Sequence, residues 1–568
     1  MRDSTASSPG IGPGLRQVLW ALLALTLLVN AASMLTPIIN EGDSVLYAAL
    51  AQHMLQSGDY LSLVLDGKDW LDKPHFPFWI GALFFKLFGI SAGSYILPGY
   101  LFHLLGGYYT YRIGRTLHGP DTALIALLVY VSTYHVMYTT SALKAEAFLN
   151  GSVMAACYYS LRLDATGRAK HLLLSALFGA MALMTKGVFT LVTIGSGLLG
   201  LWFYQGRWTQ VLRLRWWLMV GLMLVFTLPE LLALYWQFDL HPEKIVFGRQ
   251  GVSGIRFFFW DSQFGRFFNS GPITNAGGNP WYFVHVFLWA FLPWVAAFVL
   301  AVWSGVRSFG RAGAGARAAF VYGCASFFVS FAMFSATAFQ LDYYTVIVYP
   351  FAAILCARYL SGCLSTGPGR AIRVGQWVCT LVTLGLGLAV AIHVGDTGLI
   401  LVVFGACLVM VMAALRWRLW QSAGVLLSLP VLAVNILYAS LEGMTYIAHT
   451  RYSVPYNVLP LLASSPQTPV LVYGMDPNVA WEIGLYRTSA PSLRMEAMDA
   501  GSPQPKDYFL LAKTQALPAL SGSLGPHQLV HQGQWVDHKT GLLPRQINLA
   551  KGKEPLESFS LLRVVAVP

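Results

Sequence analysis

Long apolar runs broken by short polar segments set the pattern of this chain. A run of roughly 17–25 apolar residues suffices to cross a bilayer. Such runs recur near 17–36, 95–115, 121–138, 146–163, 171–187, 189–205, 214–236, 281–304, 318–337, 342–360, 374–394, 398–415 and 421–440. The pattern predicts about thirteen membrane spans. Residues 449–568 change character: "TPVLVYGMD" and "SLLRVVAV" are strand-like, Val479 to Tyr486 predicts a short helix, and turn-rich polar sequence lies between. The expected architecture is therefore a polytopic α-helical membrane protein over residues 1–445, followed by a small α/β domain over residues 446–568. No internal repeat suggests the inverted halves of a transporter.

The polar breaks between runs are unequal. Alternate short loops carry Arg112 and Arg115; Arg162, Arg168 and Lys170; Arg207, Arg213 and Arg215; Arg307, Arg311 and Arg317; Arg370 and Arg373; Arg416 and Arg418. The positive-inside rule places these in the cytoplasm. Loops 40–92 and 237–280 and everything after about 441 then face the opposite side. The first outward loop begins "NEGDSVLYAALAQHMLQSGDY", an amphipathic helix with Leu46, Leu50 and Met54 on one face and acids at Glu41, Asp43 and Asp59. It continues "LDGKDWLDKPHFPFW", where Pro74 and Pro77 are expected to stop a regular helix. The second outward loop carries Lys244, Arg249, Arg256 and Arg266 among aromatics, a mixture suited to a phosphate head group on a lipid tail.

Composition narrows the class. Of 568 residues, 56% are hydrophobic and only 11% charged, against about 25% charged in a soluble domain. The net charge of +12 does not form a nucleic-acid stripe, because the basic residues sit in short clusters between apolar runs. The six cysteines lie in or beside apolar segments and none follows Cys407, so the C-terminal domain has no disulfide framework. The thirteen histidines show no metal-binding spacing, and neither a metal nor another cofactor is expected.

Ionisable groups at span mouths are functional candidates, because burying them unpaired is expensive. Each also has a structural reading. Asp43 caps its helix or does chemistry. Lys73 pairs with Asp72 or snorkels to the interface, or it binds an anion. Glu146 forms an ion pair with Lys144, or it lines a cavity.

Together these features resemble the GT-C superfamily of membrane glycosyltransferases, especially the bacterial protein O-mannosyltransferases and the aminoarabinose transferases of lipid A. The resemblance rests on an acid after the first span ("NEGDSVLYAA"), "SGDY", and "DKPHFPFW" where aminoarabinose transferases read close to "EKPxxxYW". It extends to Glu146 at the fourth span, "ALMTKG" ending at Gly187, "LPW" at 292–294, and "QLDYYTVIVYP" where relatives have "KLxxYxLPxxP". It implies an inverting transferase that takes a sugar from a polyprenyl phosphate at the periplasmic face to a lipid A-like glycolipid. Asp43 would be the catalytic carboxylate, acting as base or positioning group, and Glu146 the second cavity acid. Lys73 would bind the donor phosphate, with Asp72, Tyr47, Tyr344, Gln340, Arg249 and Arg266 completing the donor and substrate site.

Departures from the family pattern leave the sugar open among aminoarabinose, glucosamine, galactosamine and mannose. Glu146 stands where Asp is frequent, Asp72 where Glu is usual, and Gln340 where Lys is usual. Histidines suggested as metal ligands in close relatives lack a clear counterpart in the second loop. Protein or another envelope glycan is the alternative acceptor. A lipid or oligosaccharide transporter, which would carry mid-span charges and repeated halves, and a non-catalytic scaffold are the rivals from other classes.

Overall fold

A computed structural model describes residues 11–36, 39, 42–140, 145–275, 277–416, 423–487, 492–494, 505–520, 524–535 and 556–565. Seven helices among them are long and apolar enough to cross a membrane: Pro13–Leu35, Leu214–Asp239, Ala314–Ala336, Asp342–Thr366, Arg370–Val394, Thr397–Arg416 and Gly424–Tyr452. The remaining predicted spans are also helical, but shorter or more polar, as in Ala92–His118, Ala145–Thr166, Ala169–Lys186 and Phe189–Tyr204. Many large apolar side chains on the outer helices face away from the protein, among them Leu401, Val402 and Leu408 on one helix. Such a surface is stable only in lipid.

Two predicted spans are broken, the run 121–138 between Val131 and Tyr134 and the run 281–304 after Ala290. The run 281–304 forms Tyr282–Ala290 and a second helix from Val295, bent by 114° where "FLPW" interrupts the backbone ladder. Proline cannot donate in that ladder, while a hydropathy average passes straight over it. Polar side chains tie the bundle internally. Asn30 Nδ2 donates to the Met137 carbonyl, and Asn435 Nδ2 to Thr26 Oγ1.

Two expectations for the first outward loop are corrected. Pro77 does not prevent a helix: Phe76–Phe88 is helical, with Pro77 in the first turn, where the missing N–H has no intrahelical partner to lose. The helix Gly42–Ser57 does not lie amphipathically on a surface. Val45, Tyr47, Ala48, Leu50, Ala51, Gln52 and Met54 are all buried, around most of its circumference. One side packs on Phe76–Phe88 and the other on the C-terminal domain, where Gln52 Nε2 donates to the Gly484 carbonyl.

The C-terminal domain is a five-stranded sheet in the order 492–494, 470–473, 507–513, 557–565, 527–535. The first three strands are parallel and the last two pairings antiparallel. Its helix Pro477–Tyr486, capped by Asp476, faces the bundle. Trp481 Nε1 donates to Asp66 Oδ1, and the Ile39 N–H donates to Tyr486 Oη.

Candidate active site at the bundle mouth

The segment Asp72–Lys73–Pro74 is pinned on both sides. Upstream, a two-residue turn at Asp66 and Gly67, both at positive φ, joins the short strands Val64–Leu65 and Lys68–Asp69. Asp69 then accepts from Lys244 Nζ at 2.8 Å and Gln237 Nε2 at 2.9 Å. Downstream, the His75 N–H donates to Glu230 Oε2 at 2.8 Å. The loop therefore leaves Asp72 and Lys73 little freedom to reorient, which lowers the entropic cost of binding a ligand there.

Asp72 lies between two cations. Its Oδ2 accepts from Lys73 Nζ at 2.7 Å, and its Oδ1 from Arg266 on the second loop. Burial raises the Asp72 carboxyl, but Lys73 and then Arg266 outweigh it, so the group is held below its ordinary value. Burial depresses the Lys73 ammonium, and Asp72 only partly restores it. Two cations share one carboxylate here, and Arg266 Nε is buried without a partner among the described residues. A buried guanidinium with an unused donor is a ready anion site.

Opposite this pair, Lys186 Nζ approaches Glu146 Oε1 to 2.5 Å and sits 3.9 Å from the ring centroid of Tyr344. Gly187, at φ +89°, ends the helix just after Lys186 and passes so near Gln263 that any Cβ would collide with it. Glu146 is thus partnered by Lys186; the Lys144 named as its expected partner lies outside the described residues. The short helical turn Asp342–Val348 presents Tyr344 to Lys186. Lys186, Arg266 and Tyr344 together form the polar end of a cleft whose walls include Phe189, Phe267, Phe334 and Phe339.

The other candidates separate into two groups. Tyr47 is buried edge-on against Trp70 and Phe78, within electrostatic reach of Asp43, Asp72 and Glu146. Asp43 is exposed in the first turn of its helix and acts electrostatically on Tyr47, Lys73 and Tyr343. Gln340 and Arg249, by contrast, form no hydrogen bond or ion pair with this cluster's side chains among the described residues. Gln340 clamps the Asn279 backbone, accepting from its N–H and donating to its carbonyl. Arg249 is exposed and pairs its backbone with Val246. Among the described residues, no three His, Cys, Asp or Glu side chains converge as metal ligands.

Lys186, Glu230 and the role of His75 escaped the sequence reading. The available signal was a lone ionisable group within or ending an apolar run: Glu230 in "LPELL" and Lys186 in "ALMTKG".

Fold and cluster define a polytopic membrane protein with a charged, aromatic-lined mouth opening beside an apolar cleft. Residues 72–236 match the dolichyl-phosphate-mannose-protein mannosyltransferase family. An undecaprenyl phosphate-α-4-amino-4-deoxy-L-arabinose arabinosyl transferase of Edwardsiella ictaluri is 26% identical over 61% of this chain and 59% of its own length. The enzyme of the same name from Pseudomonas aeruginosa is 26% identical over 49% of each chain. The chain thus spans between half and three fifths of these relatives. A crystal structure of ArnT from Cupriavidus metallidurans bound to undecaprenyl phosphate superposes with a TM-score of 0.71 at 18% identity, over 97% of this chain and 99% of that one. The fold is the one seen in that ArnT structure.

Proposed function

We propose that this protein moves a sugar from a polyprenyl-phosphate donor to a lipid A-like glycolipid at the periplasmic face of the bacterial inner membrane. The observation that carries this reading is the pair Lys73 and Arg266, sharing Asp72 beside an apolar cleft, with the Arg266 Nε unused. A lipid-linked phosphate needs that combination: cations for the head group and aromatic walls for the first prenyl units.

In the transfer, an acceptor oxygen attacks the anomeric carbon as the bond to the phosphate oxygen breaks, inverting the centre. The electron pair passes to the phosphate, whose charge grows from a diester monoanion toward a monoester dianion. Lys73 and Arg266 stabilise that growing charge, more in the transition state than in the bound donor. Asp43 takes the proton from an acceptor hydroxyl. If the acceptor is a phosphate of lipid A, already ionised near neutral pH, Asp43 orients it instead. Glu146, neutralised by Lys186, holds that lysine over Tyr344 at the cleft end. A protein acceptor is the second reading, favoured by the mannosyltransferase family match over residues 72–236.

The test is mass spectrometry of lipid A and envelope glycolipids from gene-deleted, complemented and Asp43→Asn-complemented strains. A pentose- or hexosamine-sized addition present only with the intact gene supports the reading. Identical lipid A in all three removes that acceptor, and glycosylated envelope proteins are then compared across the same strains.

A further inference from the structure

At the opposite end of the bundle lies a second cavity, of about 320 Å³. It is enclosed by the last turns of Ala92–His118, Val295–Ser308 and Tyr349–Thr366 and the first turns of Ala314–Ala336. Arg317, Arg358 and His118 line it with Ser304, and Phe320 and Leu355 supply an apolar wall. Between Trp294 and Arg373 the chain holds a single carboxylate, Asp342, which begins the turn that carries Tyr344 at the other end. Arg317 and Thr337, which lines the donor cleft, sit at the two ends of one helix. At 1.5 Å per residue they are ~30 Å apart, the thickness of a bilayer core.

Neither arginine is explained by its own helix. Arg317 occupies the first turns of Ala314–Ala336, where the macrodipole disfavours a cation. Arg358 lies two turns before the end of Tyr349–Thr366, beyond the reach of the C-terminal dipole. Arg317 Nε is buried with no partner, and neither guanidinium forms an ion pair among the described residues. Two cations without countercharge, one with an unsatisfied buried donor, line a cavity that has an apolar side and sits at the depth of a lipid head group. We propose that this cavity binds the phosphate of an anionic phospholipid from the leaflet opposite the donor cluster. An acyl chain would lie against Phe320 and Leu355. Arg317 and Arg358 bind the phosphodiester, and Ser304 is placed to hydrogen-bond the glycerol.

The test is native mass spectrometry of the full chain, stripped of lipid and then offered phosphatidylglycerol, phosphatidylcholine or inorganic phosphate. The wild type is expected to retain phosphatidylglycerol roughly tenfold more readily than phosphatidylcholine. The Arg317→Ala/Arg358→Ala variant should lose that preference. Equal preference in the wild type and the double variant overturns the proposal. So does full displacement of the lipid by inorganic phosphate, which would mark a site for a free anion. If the double variant fails to fold, the wild type is photocrosslinked to phosphatidylglycerol carrying a head-group diazirine. Adducts within 301–320 or 355–366 support the site, and adducts confined to other segments overturn it.

Discussion

His75 Nδ1 lies 3.0 Å from Glu230 Oε1, and both side chains are fully buried. His75 Nε2 faces the Leu61 carbonyl at 3.1 Å, an atom that only accepts, so Nε2 carries a hydrogen. Nδ1 thus faces the Glu230 carboxylate, whose other oxygen accepts the His75 N–H. A membrane helix thereby grips the first residue after the Asp72–Lys73–Pro74 segment. Glu230→Ala is expected to cost roughly 3 kcal/mol of stability, because it strands a buried polar ring. It should also raise the donor KM more than it lowers kcat, because the loop that presents Lys73 is freed. Glu230→Gln, which keeps an acceptor for the His75 N–H, should recover much of the KM. A Glu230→Ala protein with unchanged donor KM would show that the grip is idle in binding. Thermal unfolding and donor titration on the same preparation separate the two effects.

Lys73 and Arg266 meet on one carboxylate, so their contributions should couple. Each alanine variant is expected to lower kcat/KM by about 100-fold or more, the scale seen when one donor to a developing oxyanion is removed. The double variant should lose less than the product of the two, because either single change leaves Asp72 paired to the remaining cation. Independent, multiplicative losses would place the two cations on different substrate groups. The measurement is a double-mutant cycle on kcat/KM with a synthetic donor.

The alkaline limb of activity should reflect Lys73. Burial pushes its ammonium below the ordinary lysine value, and Asp72 does not fully reverse this. The charge that binds phosphate is therefore present at low pH and is lost as pH rises through that depressed value, earlier than for an exposed lysine near 10.4. The donor phosphodiester does not titrate in this range, and Asp72, held below its ordinary value, stays ionised throughout. Donor KM should rise with pH in the wild type. In Lys73→Arg, whose guanidinium stays charged, the rise should move to higher pH. An unmoved limb in that variant assigns the titration to another group.

In a chain with 11% charged residues, each ionisable group at a span mouth stands out, which is why Asp43, Asp72, Lys73 and Glu146 were candidates in the sequence. Their partners were not, because pairing is a tertiary fact. Glu146 and Lys186 are 40 positions apart, His75 and Glu230 155, and Asp72 and Arg266 194. Nearest-neighbour reasoning offered Glu146 only Lys144, which lies outside the described residues. Gln340's motif position suggested the donor site, and its side chain hydrogen-bonds the Asn279 backbone. The helical, apolar character of the N-terminal region was legible because burial in lipid selects composition over long windows, and seven of its described helices are long and apolar enough to cross a membrane. The bend after Ala290 was not, since the four residues 291–294 reset the backbone without changing the average.

The Glu146–Lys186 pair offers the sharpest separation of structure from chemistry. Glu146 is 2% exposed, so removing the lysine leaves a carboxylate in a site with little water. Lys186→Met is expected to destabilise the protein by about 3 kcal/mol, the cost of breaking a buried pair. Adding Glu146→Gln removes the stranded charge, and the double variant should regain most of the loss. Activity should not return with stability, because Lys186 also sits over Tyr344 at the polar end of the cleft. Unfolding midpoints in one detergent and turnover with a lipid-linked sugar, measured for all four proteins, provide the check. Recovery of both would make the pair a structural strut. Recovery of stability alone would place the lysine's charge at the donor, and recovery of neither would mean that Glu146 answers to a different cation.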